Sequence, residues 1–308
     1  MKTAHIWLLA TLIILIIGTL TLAFNPNSST QPKSEKTTIA VSIFPLADIA
    51  RNVAGDKADV IQLIPSGSSP HTYSLTPQQL ADLSTASTLF IIGHQLEPAS
   101  LINATKANST PVQTVDNGIT LLPFEKHEEN QDAEHEEEHG ELDPHYWLSV
   151  PNAQIIARNI KQTLQSIDPA NAYVYQENFN QYSRQLTELE NNLQDMSRII
   201  ANPAFIAIHD AWSYFTEQYN LDLVATYEPT EGQQPTLSDL NNLKEIAKEH
   251  KLSVFYTEPQ KQSTSAIRLI QNELNLGIGI LDPVGGISPN DTYIDLMLNN
   301  MNALAPGE

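Results

Sequence analysis

Short apolar runs alternate with amphipathic stretches along most of the chain, which predicts strands that alternate with helices. In the first half the strand candidates are Thr38–Phe44, Val60–Ile64 and Leu89–Ile92. In the second half they are Ala204–Ile208, Leu223–Ala225, Val254–Tyr256 and Ile278–Leu281. Runs of this length between segments of helical periodicity are typical of buried parallel strands. The pattern therefore predicts an α/β fold with two halves, each a parallel sheet flanked by helices.

One long amphipathic helix is predicted between the two halves, from Asp168 to Asn202. Asp168 can cap the helix and Pro169 suits its first position, whereas Pro203 ends it. Apolar residues recur at intervals of three and four, at Phe179, Tyr182, Leu186, Leu189, Leu193, Met196 and Ile200. Such a helix would be about 50 Å long. This length favours a rigid internal strut between two domains, and a coiled-coil dimerisation helix is the alternative.

Composition restricts the classes of function that the chain can have. Its 308 residues leave room for about two domains. The net charge of −20 argues against nucleic acid and anionic membrane surfaces, and it favours cationic ligands. The chain has no cysteine, which excludes disulfides, thiolate zinc sites, thiol catalysis and a lipid-modified N-terminal cysteine.

The N-terminus has the pattern of an export signal. Lys2 precedes an uncharged stretch of nineteen residues, Ile6–Phe24, and the small residues Thr21 and Ala23 suit cleavage after residue 23. The stretch is nearly long enough to span a bilayer, so an uncleaved anchor over residues 6–24 is the alternative. Residues 25–36 are predicted to form a polar tether. Either reading places the body outside the cytoplasm, and we predict a periplasmic protein.

Residues 125–141 contain three histidines and nine carboxylates in seventeen positions. Imidazoles and carboxylates are ligands of borderline divalent metals, and a segment without large apolar residues cannot form a core. We therefore expect a mobile loop in which His127, His135 and His139 form accessory, low-affinity metal sites. His135–His139 also matches the His-Glu-x-x-His motif of zinc peptidases, which requires a packed helix. The acidic flanks carry no apolar stripe, so composition explains the match better.

Four other residues are candidates for a main metal site. His209 and Asp282 directly follow predicted strands, where ligands of open α/β sheets collect. His71 lies in a loop after another strand candidate, and His145 follows the acidic segment. Two candidates come from each half, so a site made from all four would lie between the domains. Each residue alone has an ordinary explanation, as a surface histidine or as a turn-forming aspartate.

Around these residues the sequence resembles the metal-binding solute receptors of bacterial ABC importers for zinc and manganese. The matching stretches occur in the family's order and are 70–77, 93–97, 143–149, 209–215, 257–260 and 281–285. The resemblance covers the chain from about residue 40 to its C-terminus. It implies two α/β lobes joined by one long helix, with the ligands His71, His145 and His209 between them. It also implies that Asp282 is a fourth ligand or a close neighbour.

The same resemblance favours zinc over manganese. Zinc receptors of this family carry an acidic histidine-rich loop, whereas manganese receptors usually have a glutamate at the place of His209. Three imidazoles and one carboxylate suit tetrahedral Zn²⁺, and Mn²⁺ prefers more oxygen ligands. Family members from Gram-positive bacteria are generally lipoproteins, and a chain without cysteine departs from that pattern. This departure favours a Gram-negative type of periplasm or anchoring by the N-terminal helix.

The sequence thus predicts a monomeric receptor that captures Zn²⁺ and delivers it to an ABC permease, without catalysis. The predicted domains are a signal (1–23), a tether (25–36), an N-terminal lobe (37–167), a connecting helix (168–202) and a C-terminal lobe (203–308). A zinc-dependent hydrolase and a zinc buffer centred on residues 125–141 are the rival functions. Because protonation of histidine competes with metal, we expect the affinity to fall below about pH 6.5.

Overall fold

A computed structural model of the protein describes residues 36–124, 140–228, 233–288 and 291–305. Thr37–Glu308 form one compact unit that contains two four-stranded parallel sheets. The first sheet contains β1 (Thr37–Val41), β2 (Ala58–Gln62), β3 (Leu89–Ile91) and β4 (Val112–Thr114). Their spatial order is β2-β1-β3-β4. The second sheet contains β5 (Ala204–Ala207), β6 (Asp222–Thr226), β7 (Val254–Thr257) and β8 (Gly277–Ile280), in the order β6-β5-β7-β8.

Helices connect successive strands, as parallel pairing requires. The helices before the long one are α1 (Phe44–Ala54), α2 (Pro77–Thr85), α3 (Ala99–Asn108) and α4 (Val150–Ile167). The long helix is α5 (Ala172–Arg198), and the helices after it are α6 (Ser213–Tyr219), α7 (Leu237–Glu249), α8 (Ser265–Leu274) and α9 (Tyr293–Leu304). Two short 3₁₀ segments, Tyr146–Leu148 and Pro169–Asn171, precede α4 and α5. The predicted architecture of two helix-flanked parallel sheets joined by a long helix is therefore confirmed.

The long helix is shorter than predicted at both ends. Asp168 does not cap it but ends α4, and its carboxylate accepts hydrogen bonds from Asn171 and Tyr175. The turn that follows is 3₁₀, so α5 begins at Ala172 and ends at Arg198. Its 27 residues span about 40 Å. The buried residues Tyr182, Leu186, Leu189 and Leu193 are among the predicted apolar positions, so the periodicity identified the packed face correctly.

The predicted strand boundaries are wrong in the first sheet. β1 ends at Val41 because Ile43 is the N-cap of α1 and Pro45 occupies its first turn. β2 begins and ends two residues before the predicted range. The edge strand β4 was missed because its three residues are largely exposed and form no apolar run.

The C-terminal helix packs against elements of the first half of the chain. α9 contacts both α5 and α1, and the backbone N–H of Tyr293 donates to the carboxylate of Asp48 at 3.0 Å. The hydroxyl of Tyr293 donates to the backbone oxygen of Trp147 at 2.6 Å, and the indole N–H of Trp147 donates to the backbone oxygen of Pro283 at 2.7 Å. All of these groups are buried, so direct polar contacts as well as α5 connect the two sheets.

The predicted signal and nearly all of the tether, residues 1–35, lie outside the described residues. So do residues 125–139, which include the three accessory histidines. Within the part of the chain that the structure describes, no helix has both the length and the apolar character needed to cross a bilayer.

Candidate metal site

Three of the predicted ligands, His71, His145 and His209, come together in the folded chain. One ring nitrogen from each belongs to a set of atoms that all lie within 4.8 Å of one another. The ring centroids are 5.9 Å apart for His71 and His145, 6.0 Å for His71 and His209, and 5.1 Å for His145 and His209. Imidazole nitrogens this close together could bind a single metal ion after small side-chain rotations.

Each histidine lies in a segment that connects regular elements. His71 lies in the loop between β2 and α2, and His145 immediately precedes the 3₁₀ segment Tyr146–Leu148. His209 follows β5, whose end is fixed by the hydrogen bond from the backbone N–H of Ile208 to Tyr256. The first two residues precede α5 in the chain and the third follows it. The cluster therefore combines two loop residues from before α5 with His209 at the carboxyl end of β5, where ligands of α/β folds collect.

Asp143 orients His145. The Oδ1 atom of Asp143 lies 2.8 Å from Nδ1 of His145, and it also accepts the backbone N–H of His145 at 2.8 Å. Both side chains are buried. Burial by itself raises the pKa of Asp143, but the charge and hydrogen bonds of His145 outweigh it and lower that pKa. An ionised carboxylate at Nδ1 fixes the proton on that nitrogen, which leaves Nε2 as the donor for a metal.

Glu258 orients His209 in the same way. Its Oε1 atom lies 2.6 Å from Nδ1 of His209, while its Oε2 atom lies 3.1 Å from Nζ of Lys261. Burial alone would raise the pKa of Glu258, but His209 and Lys261 lower it to about 2. Burial alone would lower the pKa of His209, but the negative charges of Glu228 and Glu258 raise it to about 9. In the metal-free protein His209 therefore holds a second proton at neutral pH.

The remaining nitrogens of these two histidines have the environment of metal donors. The Nε2 atoms of His145 and His209 are buried, and no described residue makes a hydrogen bond with either. A buried polar atom without a hydrogen bond costs about 1–3 kcal/mol. A divalent cation between the rings would use the lone pair of Nε2 on His145, and that of Nε2 on His209 once its proton has left, and would remove that cost.

Asp282 lies outside the histidine cluster. Within the described part of the chain, the donor atoms that lie within 4.8 Å of one another come from the three histidines and not from Asp282. Its Oδ1 atom accepts the backbone N–H groups of Val284 at 3.0 Å and Gly285 at 2.8 Å. Burial raises the pKa of its carboxyl, partly offset by these two bonds.

The other histidines of the described chain do not join the cluster. His94 pairs through Nε2 with Asp116 at 2.9 Å, and its ring lies edge-on to Tyr146. His250 follows the last residue of α7. Asp143, Glu228 and Glu258 were not predicted to take part in the site, although Asp143 and Glu258 lie in stretches that carried the resemblance. Glu228 and Glu258 could have been recognised as carboxylates that follow strands, and Asp143 as a carboxylate two residues before His145.

Comparison with known proteins identifies the family. A family model described as zinc-uptake complex component A, periplasmic (ZnuA), matches residues 39–307. The high-affinity zinc uptake system protein ZnuA of Bacillus subtilis is 29% identical over 292 residues, covering 90% of this chain and 91% of that protein. The manganese ABC transporter substrate-binding lipoprotein PsaA of Streptococcus pneumoniae serotype 4 is 26% identical over 315 residues, covering 97% of this chain and 98% of that protein.

A solved structure supports the same assignment. The crystal structure of a zinc-bound ZnuA deletion mutant superposes with a TM-score of 0.73 at 29% identity, and it covers 88% of this chain and 96% of that one. The family model spans nearly all of the chain after the predicted tether. The chain therefore belongs to the ZnuA family of periplasmic zinc-uptake components, as its resemblance to metal receptors of ABC importers predicted.

Proposed function

We propose that this protein captures Zn²⁺ with His71, His145 and His209 and delivers it to the permease of an ABC importer. The convergence of three imidazole nitrogens within 4.8 Å is the observation that carries this proposal. Membership of the family makes the chain a metal-uptake receptor and not an enzyme. The ion is therefore cargo, and the site must bind it tightly and also release it.

Two features of the described residues support zinc as the cargo. The cluster offers nitrogen donors, which suit Zn²⁺ better than the oxygen-preferring Mn²⁺. Asp143 and Glu258 hold the proton on Nδ1 of two of these rings, an arrangement that also makes the ligands more basic. The relative named as a manganese receptor keeps manganese as the second candidate. The donor set favours zinc, which lies above manganese in the affinity series.

Asp282 is assigned the place of a close neighbour of the ion and not of a fourth ligand. Two backbone N–H donors engage its Oδ1 atom and shape the 282–285 turn.

The domain division is also part of the proposal: a lobe of residues 37–167, a connecting segment of residues 168–202 and a lobe of residues 203–308. The histidines would then come from both lobes, and the ion would sit between them.

The segments outside the described residues keep their predicted roles in this proposal. Residues 125–141 would concentrate zinc near the main site through His127, His135 and His139, at lower affinity. Residues 1–23 would export the chain to the periplasm, with an uncleaved anchor over residues 6–24 as the alternative. The chain would act as a monomer and would dock on its permease. The relatives are periplasmic proteins or lipoproteins, which agrees with a place outside the cytoplasm.

Metal titration tests the proposal. Metal-free protein titrated with Zn²⁺ in the presence of a competing chelator should show one tight site per chain. The same protein titrated with Mn²⁺ should bind at least about tenfold more weakly. Tighter binding of Mn²⁺ than of Zn²⁺ would identify manganese as the cargo. Absence of a tight site for either metal would refute the receptor function.

A further inference from the structure

A carboxylate that no prediction included lies beside the histidine cluster. Glu228 follows β6, and the parallel pairing of β5 with β6 continues past the last ladder pair through the hydrogen bond from the backbone N–H of Tyr227 to Ala207. This pairing brings Glu228 next to the residues that follow β5. Its Oε1 atom lies 3.8 Å from Nε2 of His209, the ring nitrogen that is not bonded to Glu258.

We propose that Glu228 supplies a carboxylate oxygen to the ion held by His71, His145 and His209. This inference rests on the proposed zinc-receptor function and adds a fourth ligand to it. Donor atoms in a tetrahedral zinc site lie about 3.3 Å apart. The observed separation of 3.8 Å between Glu228 and His209 is about half an ångström longer than that. Rotation about the side-chain bonds of Glu228 closes the difference.

The two nearby carboxylates differ in their ability to make this movement. The side chain of Glu228 is 36% exposed, and among the described residues it forms ionic pairs with His209 and Lys261, each at 3.8 Å. Asp282 is mostly buried and is held by two short hydrogen bonds from backbone N–H groups. The two bonds to Asp282 fix its carboxylate in the 282–285 turn, whereas the contacts of Glu228 with other described residues are long ionic pairs. Glu228 is therefore the better fourth ligand.

Lys261 gives the metal-free receptor a substitute for the ion's charge. Its Nζ atom lies 3.1 Å from Glu258 and 3.8 Å from Glu228. This ammonium group compensates the two carboxylates next to His209 before metal arrives. When Zn²⁺ engages Glu228, the carboxylate exchanges Lys261 for the dication. Lys261 therefore lowers the net affinity for zinc and favours release.

Cobalt spectroscopy tests whether Glu228 is a ligand. Co²⁺ in place of Zn²⁺ gives visible absorption bands whose energy and intensity report the donor atoms. Glu228→Gln should change these bands and weaken zinc binding at least about tenfold. The matched control is Glu245→Gln, which removes the same charge from an exposed position on α7 and should change neither. Lys261→Gln should strengthen zinc binding.

The cobalt spectrum decides the outcome. If Glu228→Gln has the spectrum of the unchanged protein, Glu228 is not a ligand and the inference is overturned, whatever happens to the affinity. If His209→Ala in the same series still loses tight binding, only this inference fails and the receptor function stands. If the unchanged protein has no tight zinc site, the proposed function itself has failed.

Discussion

At the scale of single residues, Asp143 and Glu258 prepare two histidines for metal. Each carboxylate lies within 2.8 Å of the Nδ1 atom of a ring, and each is itself buried. Without these partners a neutral ring could carry its single proton on Nε2, where it would block the ion. The pairs therefore set both the orientation and the protonation of the site.

The raised pKa of His209 predicts that zinc binding expels a proton. With a pKa of about 9, His209 carries two protons at pH 8, and Zn²⁺ must displace the one on Nε2. The apparent affinity should therefore rise about tenfold per pH unit from pH 7 up to about pH 9. The sequence alone, with the ordinary histidine pKa, predicted that the affinity falls only below about pH 6.5. The raised pKa of His209 moves this loss of affinity to higher pH. Calorimetry in buffers of different ionisation enthalpy should show about one proton released at pH 8; release of none would contradict the assignment.

The sequence identified the histidines but not their carboxylate partners. His71, His145 and His209 were visible because each is a metal-binding residue type beside a recognisable strand or motif. Glu228 and Glu258 are two of 36 acidic residues, and residue type alone does not separate them from the others. Their significance depends on β6 and β7 lying on either side of β5. That order is a property of the sheet and has no signature in the chain.

At the scale of elements, strand type and helix periodicity were predictable, while boundaries were not. Ile43 and Phe44 are apolar enough to extend β1, yet the helix that contains Pro45 begins there. The short strand β4 depends on pairing with β3 and not on its own composition. Local pattern therefore predicted the other seven strands and the long helix, whereas tertiary contacts determine their ends and the existence of β4.

The glycine turn after Asp282 closes tightly against the first half of the chain. Gly286 has φ of +76°, and a Cβ atom there would overlap the ring of Phe44. Gly286→Ala should therefore lower the free energy of unfolding by about 1–2 kcal/mol for the left-handed backbone and by about 1–3 kcal/mol more for overpacking. Urea denaturation measures the change.

Gly67→Ala is the matched control for that substitution. Gly67 has φ of +79°, but no described atom lies within 4 Å of its added Cβ. Gly67→Ala should therefore lower the free energy of unfolding only by the amount due to the left-handed backbone, about 1–2 kcal/mol. Equal losses at the two positions would show that a Cβ atom added at Gly286 causes no overpacking against Phe44.

At the scale of the whole molecule, the charge distribution favours capture of a dication. The net charge is −20, and residues 125–139 contribute eight carboxylates and three histidines. Clustered negative charge raises the rate at which cations arrive, and salt weakens this effect. The segment therefore adds to capture, whereas the buried cluster determines tight binding.

Deletion of residues 125–139 separates these two contributions. The backbone N–H of Phe124 donates to Glu141 at 3.1 Å, so the ends of the segment lie close enough for a short Gly-Ser turn to join them. The variant should bind fewer zinc ions in total and capture zinc more slowly at low salt, while one tight site remains. Stopped-flow mixing with a fluorescent zinc indicator measures the rate. Loss of the tight site would place the main site in the deleted segment.

Zinc titration of His209→Ala tests the central claim most directly. His209 contributes one of the three clustered nitrogens, and its removal should weaken tight zinc binding by at least about a hundredfold, as expected when a zinc site loses one of its protein ligands. His250→Ala is the matched control, since His250 lies at the end of α7 outside the cluster and should leave the affinity unchanged. Tight binding of nearly unchanged affinity in His209→Ala would contradict the account, because the ion would then be held elsewhere.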